Sequence, residues 1–159
     1  MKTAWLAFVI SLLALTSCSP GSKNEQQDQY THYEVLGVVD GETLDLEDLG
    51  RVLLIGVNAP NIADGKKPAQ RYAKESAQFL KRLALHERVR LEYDEEKVEK
   101  KSKKTLVYMY LQDGTFVNEE VIKQGYGAVS RRSPFKFEDQ FKASEKEAKE
   151  FKRGIWNKP

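Results

Sequence analysis

This chain has one cysteine, two histidines and almost no excess charge, and its one long apolar run lies at the N-terminus, from Ala4 to Leu15. A lone cysteine, Cys18, excludes an intrachain disulfide, so a folded domain here must rest on its core. His32 and His86 have no metal-ligand spacing and no cysteine partner in the domain, which leaves them as surface or packing residues. With 26 basic against 24 acidic side chains the net charge is +2, which argues neither for nor against a polyanionic partner. The apolar run, interrupted only by Ser11, is too short for a comfortable bilayer span.

What is present begins with that run. Lys2 precedes it and Leu15-Thr16-Ser17-Cys18 ends it, a pattern that resembles the bacterial lipobox, where a signal peptidase cuts before a cysteine that carries lipid. Several acyl chains on Cys18, each contributing about 0.8 kcal/mol per buried methylene, would hold the protein to a membrane on its extracytoplasmic side. The polar stretch Ser19 to Gln29 lacks apolar periodicity and reads as a tether. Removing residues 1–17 leaves 25 basic and 24 acidic residues, so the balance hardly changes. At 159 residues, 40% hydrophobic and 31% charged, the chain suits one domain with an appendage: signal 1–17, lipidated cysteine and tether 18–32, and a monomeric domain 33–159.

Within the domain, short strands precede helices. Tyr33 to Val39, Thr43 to Leu46 and Arg51 to Val57 read as strands, with Glu47-Asp48-Leu49-Gly50 as a turn. Tyr72, Ser76, Phe79, Leu80 and Leu83 recur at helical spacing, and Pro68 suits a first turn, which predicts a helix from Pro68 to about Leu85. Val89, Leu91 and Tyr93 alternate with charges as in a half-buried strand, and Thr105 to Leu111 makes another that turns at Gln112-Asp113-Gly114 toward Phe116. Asn118 reads as the N-cap of a short helix that Gly125 ends. A last helix opens on Glu138 and Asp139 and carries Phe137, Phe141, Ala148, Phe151 and Ile155 on one stripe, with Trp156 as a plug.

Four motifs narrow the α+β possibilities. Val39-Asp40-Gly41-Glu42-Thr43-Leu44 and Leu53-Leu54-Ile55-Gly56-Val57-Asn58-Ala59-Pro60-Asn61 resemble the staphylococcal (thermonuclease-like) nuclease family, whose patterns there are V-x-D-G-D-T and R-L-I-G-I-D-A-P-E. Val117-Asn118-Glu119 with Gln124-Gly125, and Ser144-Glu145 through Ala148 to Gly154-Ile155-Trp156, resemble two further patterns of the family. The resemblance spans nearly all of Tyr33 to Trp156 and implies a five-stranded OB-type β-barrel with three helices.

Phosphodiester hydrolysis needs a divalent metal, cations for the developing charge and a base for water. The resemblance assigns these to calcium on two carboxylates and a backbone carbonyl, to two arginines and to a glutamate. This chain places Glu42 and Asn58 at the carboxylate positions, Ala59 at the carbonyl, Leu53 and Lys104 at the arginines and Asn61 at the glutamate. Glu42 keeps the charge on a longer arm, whereas Asn58 offers an oxygen without charge, so Ca²⁺ affinity falls. Leu53 has no donor, Lys104 has no bidentate fork and Asn61 cannot take a proton near neutral pH. Ser102, Arg131 and Ser133 stand where the family usually has tyrosines, so no base-stacking platform is evident.

Other charges could stand in. Arg51 shares a strand face with Leu53, although a solvated strand-start charge is its plainer reading, and Asp40, Asp45, Glu47, Asp48 and Asp64 are nearby acids. Asp40 suits a turn-fixing role. The run Lys97, Lys100, Lys101, Lys103 and Lys104, with Arg131, could grip phosphates or acidic lipid, but interleaved Glu95, Glu96 and Glu99 favour a solvated loop. The sequence thus predicts an envelope-anchored barrel that binds nucleic acid, another polyanion or a protein. Its alternatives are a metal-dependent nuclease with a rebuilt site and a structural or partner-binding envelope module.

Overall fold

Alternating aliphatics set the inside of the molecule. In the computed structural model, which describes residues 31–65, 67–94 and 104–157, strands β1 (His32–Val38), β2 (Thr43–Leu46) and β3 (Gly50–Leu54) form an antiparallel meander. After β4 (Val57–Asn58) and α1 (Ala73–Ala84), strands β5 (Arg88–Glu92) and β6 (Thr105–Leu111) complete a closed barrel ordered β1-β2-β3-β6-β5. Its one parallel pairing is β3 with β6. Val35, Leu44, Leu46, Val52, Leu54, Val89, Val107 and Met109 point inward and are essentially inaccessible, so apolar burial and closure stabilise the same object. The expected five-stranded barrel with three helices is what the structure has.

Four expectations about local structure need correction. The predicted strand Arg51 to Val57 stops at Leu54, because Gly56 adopts φ +77° and a Cβ there would lie 2.6 Å from the Phe135 ring. The chain turns and makes β4, which pairs with β7 (Ala128–Val129) instead. Helix α1 starts at Ala73 rather than at Pro68, behind a left-handed Tyr72 (φ +68°). It buries Ala73, Ser76, Leu80 and Ala84 on the barrel.

Helix α2 (Val117–Lys123) is not capped by Asn118 but by Phe116. Asn118 is fully buried two residues further in, within the first turn, where its Oδ1 accepts from the Met109 amide at 2.9 Å and its Nδ2 donates to the carbonyls of Ile55 (2.9 Å) and Val107 (3.0 Å). One amide thus bolts the helix to β6 and to the turn after β3. In α3 (Glu138–Glu150), Phe141 and Ala148 face the core as expected, but Phe151 is 63% exposed because the chain leaves the helix there. Trp156 is half-buried in the closing 3₁₀ turn Gly154–Trp156, with the Lys149 ammonium 4.4 Å from its ring centre. Among the described residues no helix is long and apolar enough to cross a membrane.

The segment 1–17, Cys18, the tether to residue 30, and Lys97, Lys100, Lys101, Ser102 and Lys103 lie outside the described residues.

Candidate functional site

The turn from β1 into β2 builds the site. Asp40 Oδ1 accepts the Glu42 amide at 2.9 Å, which fixes the turn, and the Val39 amide reaches the Thr43 carbonyl at 2.9 Å. Gly41 lies so close to α1 that a Cβ there would meet Ser76 Oγ at 2.0 Å and the Ala59 Cβ at 2.7 Å, so only glycine lets the helix dock. That docking turns Glu42 inward. Its Oε2 accepts the Ala59 amide at 2.8 Å, and its Oε1 lies 3.7 Å from Nη2 of Arg132. Burial raises the Glu42 carboxyl above its ordinary value, while the Ala59 amide and the charges of Arg132 and Lys104 pull it back and Asp40 adds to the rise.

Outside the barrel wall, Leu53 pairs with Thr43 on one side and Leu106 on the other. It is buried to 6% exposure yet belongs to the outer face, because its neighbours Val52 and Leu54 fill the core. Lys104, just before β6, brings Nζ within 3.4 Å of Thr43 Oγ1. Arg51 shares this face, as strand alternation requires, but its guanidinium is held in a fork by Asp45 at 2.8 and 3.0 Å. Asn58 is exposed on β4 opposite Ala128. Asn61 is tied to Gln70, whose Oε1 accepts from its amide (2.8 Å) and its Nδ2 (3.3 Å).

The family model described as staphylococcal nuclease homologue matches residues 51–158. The chain belongs to that family. The thermonuclease of Staphylococcus hyicus is 30% identical over 159 positions, covering 94% of this chain and 90% of the relative. The thermonuclease of Staphylococcus intermedius is 33% identical, covering 87% and 84%. Endonuclease YncB of Bacillus subtilis is 30% identical, covering 88% and 67%. This staphylococcal nuclease homologue therefore aligns with most of the length of the two thermonucleases.

Of the residues singled out from the sequence, the fold brings Glu42, Leu53, Ala59 and Lys104 into one strip, and it leaves Asn61 engaged with Gln70. Arg131 and Ser133 are exposed. Arg132 was not anticipated. It reaches Glu42 because the β4–β7 ladder and the bond from the Ser130 amide to the Gly56 carbonyl (2.8 Å) lay residues 130–132 beside the turn. A two-residue ladder leaves no periodicity to read, so no sequence signal pointed there.

Calcium takes six to eight oxygens, with carboxylates supplying the charge. Among the described residues no group of three or more histidine, cysteine, aspartate or glutamate side chains could hold a metal ion. Glu42 and Asp40 already accept backbone amides, and a guanidinium faces Glu42. These residues do not fit a calcium cage.

Proposed function

We propose that this staphylococcal nuclease homologue is a lipid-anchored envelope protein that binds nucleic acid through the Glu42 strip without cleaving it. The observation that carries this is the commitment of Glu42: the one carboxylate at the metal positions is turned into the Ala59 amide and faced by Arg132. Beside it, Leu53 supplies no cation, and Asn61 can take no proton from water. Lys104 and Arg132 remain as positive groups on that strip, and cations near a phosphate chain supply sequence-independent affinity. Relatives called thermonuclease and endonuclease support nucleic acid as the ligand class. Cys18 after its apolar run supports the anchor.

The test is incubation with single-stranded DNA and with RNA in millimolar calcium, with and without chelator, while binding is followed in parallel. Salt-sensitive binding with intact oligonucleotides is expected. Metal-dependent cleavage that chelation abolishes would overturn the reading.

One observation favours a second reading, a phosphodiesterase with a rebuilt site: two cations converge on one buried carboxylate. That reading requires cleavage to disappear in both Glu42→Ala and Arg132→Ala.

A further inference from the structure

Resting on the binding reading above, we infer that Arg132 and Lys104 are the pair that contacts phosphate and that Glu42 is their built-in competitor, an internal anion from whose attraction the ligand must draw them. Three separate parts of the fold converge here: the turn before β2 brings Glu42, the start of β6 brings Lys104 and the segment after β7 brings Arg132. Arg132 is more than half exposed, yet its guanidinium is directed at a carboxylate whose side chain is only 12% exposed. At 3.7 Å the contact is an ion pair too long for a charge-assisted hydrogen bond, so Glu42 attracts the guanidinium without consuming its donors. A phosphodiester offers two oxygens matched to the guanidinium fork, which Glu42 in this position does not.

Glu42 feels charge from Arg132, Lys104 and Asp40, and the backbone amide of Ala59 faces it from the turn after β4. Further along the wall, Arg51 and Asp45 satisfy one another. Ser76, the α1 residue against the turn, is neutral and donates to the Tyr126 carbonyl.

The probe is a short fluorescent oligothymidylate, titrated by anisotropy at constant ionic strength and neutral pH. Arg132→Gln weakens binding by about tenfold, the loss of one charge-assisted hydrogen bond. Lys104→Gln weakens it also. Glu42→Gln tightens binding at neutral pH, whereas Glu150→Gln and Lys146→Gln, exposed charge controls on α3, do not. If the wild type binds and Arg132→Gln binds equally well, the inference falls and the binding reading stands. If Glu42→Gln binds no tighter than Glu150→Gln, the competitor role falls. If neither the wild type nor Glu42→Gln binds, both the inference and the reading beneath it fall. Arg132 is at the surface, so its variant keeps the test decisive even where replacing Glu42 perturbs folding.

Discussion

Of the polar side chains buried in this protein, Asn118 and Glu42 sit at two junctions that handle them in opposite ways. Where α2 meets β6, Asn118 is fully enclosed and uses three hydrogen bonds on three backbone partners. Where the β1–β2 turn meets α1, Glu42 is nearly as enclosed, yet it has one amide, a long ion pair and a carboxyl pushed above its usual value. Buried polar groups are normally satisfied because an unmet one costs about 1–3 kcal/mol. Asn118 follows that rule and Glu42 only partly does. The first junction is built for the fold; the second retains an ionisable group at a cost, which is the usual mark of a site.

The strongest way to break the comparison is to reverse the site's substitutions. Leu53→Arg, Asn58→Asp and Asn61→Glu together should convert intact binding into calcium-dependent cleavage, raising the rate over the unmodified protein by roughly 10³ or more, the scale on which one guanidinium acts in phosphoryl transfer. Leu53 already lies on the outer wall between Thr43 and Leu106, the side that Lys104 occupies, so an arginine there extends toward the same strip. A chelator-controlled assay reads the result. No gain would mean that the strip is not the silent counterpart of the family's catalytic site.

Next in size is the framework itself. Asn118→Ala strands the Met109 amide and the Ile55 carbonyl inside the protein, and a loss of about 3 kcal/mol in urea unfolding is expected from hydrogen bonds of this kind. A loss below 1 kcal/mol would show that water or local rearrangement replaces the amide.

Glu42→Gln should move stability the other way. Because burial raises the folded-state carboxyl pKa, the native protein holds its proton to higher pH than the unfolded chain does. Stability therefore rises as pH falls through the folded value, and the ionised carboxyl is a cost at neutral pH. Glutamine removes that cost and can still accept from the Ala59 amide, so the variant should be more stable near neutral pH by roughly 1 kcal/mol, with the gain vanishing below the ordinary glutamate range. Thermal unfolding at several pH values checks both the sign and the window. A constant difference across pH would mean that Glu42 does not titrate differently in the fold.

Much of the framework was legible because its signals are local. Leu44 and Leu46 alternate inward as a strand should, and the span Thr105–Leu111 came out unchanged. Helix starts were less legible. Pro68 has the chemistry of a first turn, but the chain spends Pro68 to Arg71 in a loop that Asn61 and Gln70 hold, and the helix waits for Tyr72. Asn118 has the chemistry of a cap, yet a tertiary demand for a buried amide placed it inside the helix. At the site, Glu42, Leu53, Asn58 and Asn61 were found by position in a motif, whereas Arg132 depends on a two-residue ladder between distant segments and could be seen only once the chain was folded.

The smallest expected effect sharpens the boundary of the site. Arg51 stands two residues from Leu53 on the same face, where it could have stood in as a replacement cation although a solvated charge was its plainer reading, and Asp45 takes its fork across the β2–β3 pairing. The hydrogen bond from Arg51 holds the Asp45 carboxyl below its usual range, so the pairing persists above that range and is lost as acid protonates Asp45. Both groups are exposed, where water and salt screen such pairs. Arg51→Ala should therefore leave thermal unfolding and oligothymidylate binding unchanged within error, while a carboxyl-detected titration shows Asp45 returning toward its ordinary value. If binding weakens as it does in Arg132→Gln, the cationic strip extends along β3 past Leu53, and Asp45 becomes a second internal competitor beside Glu42.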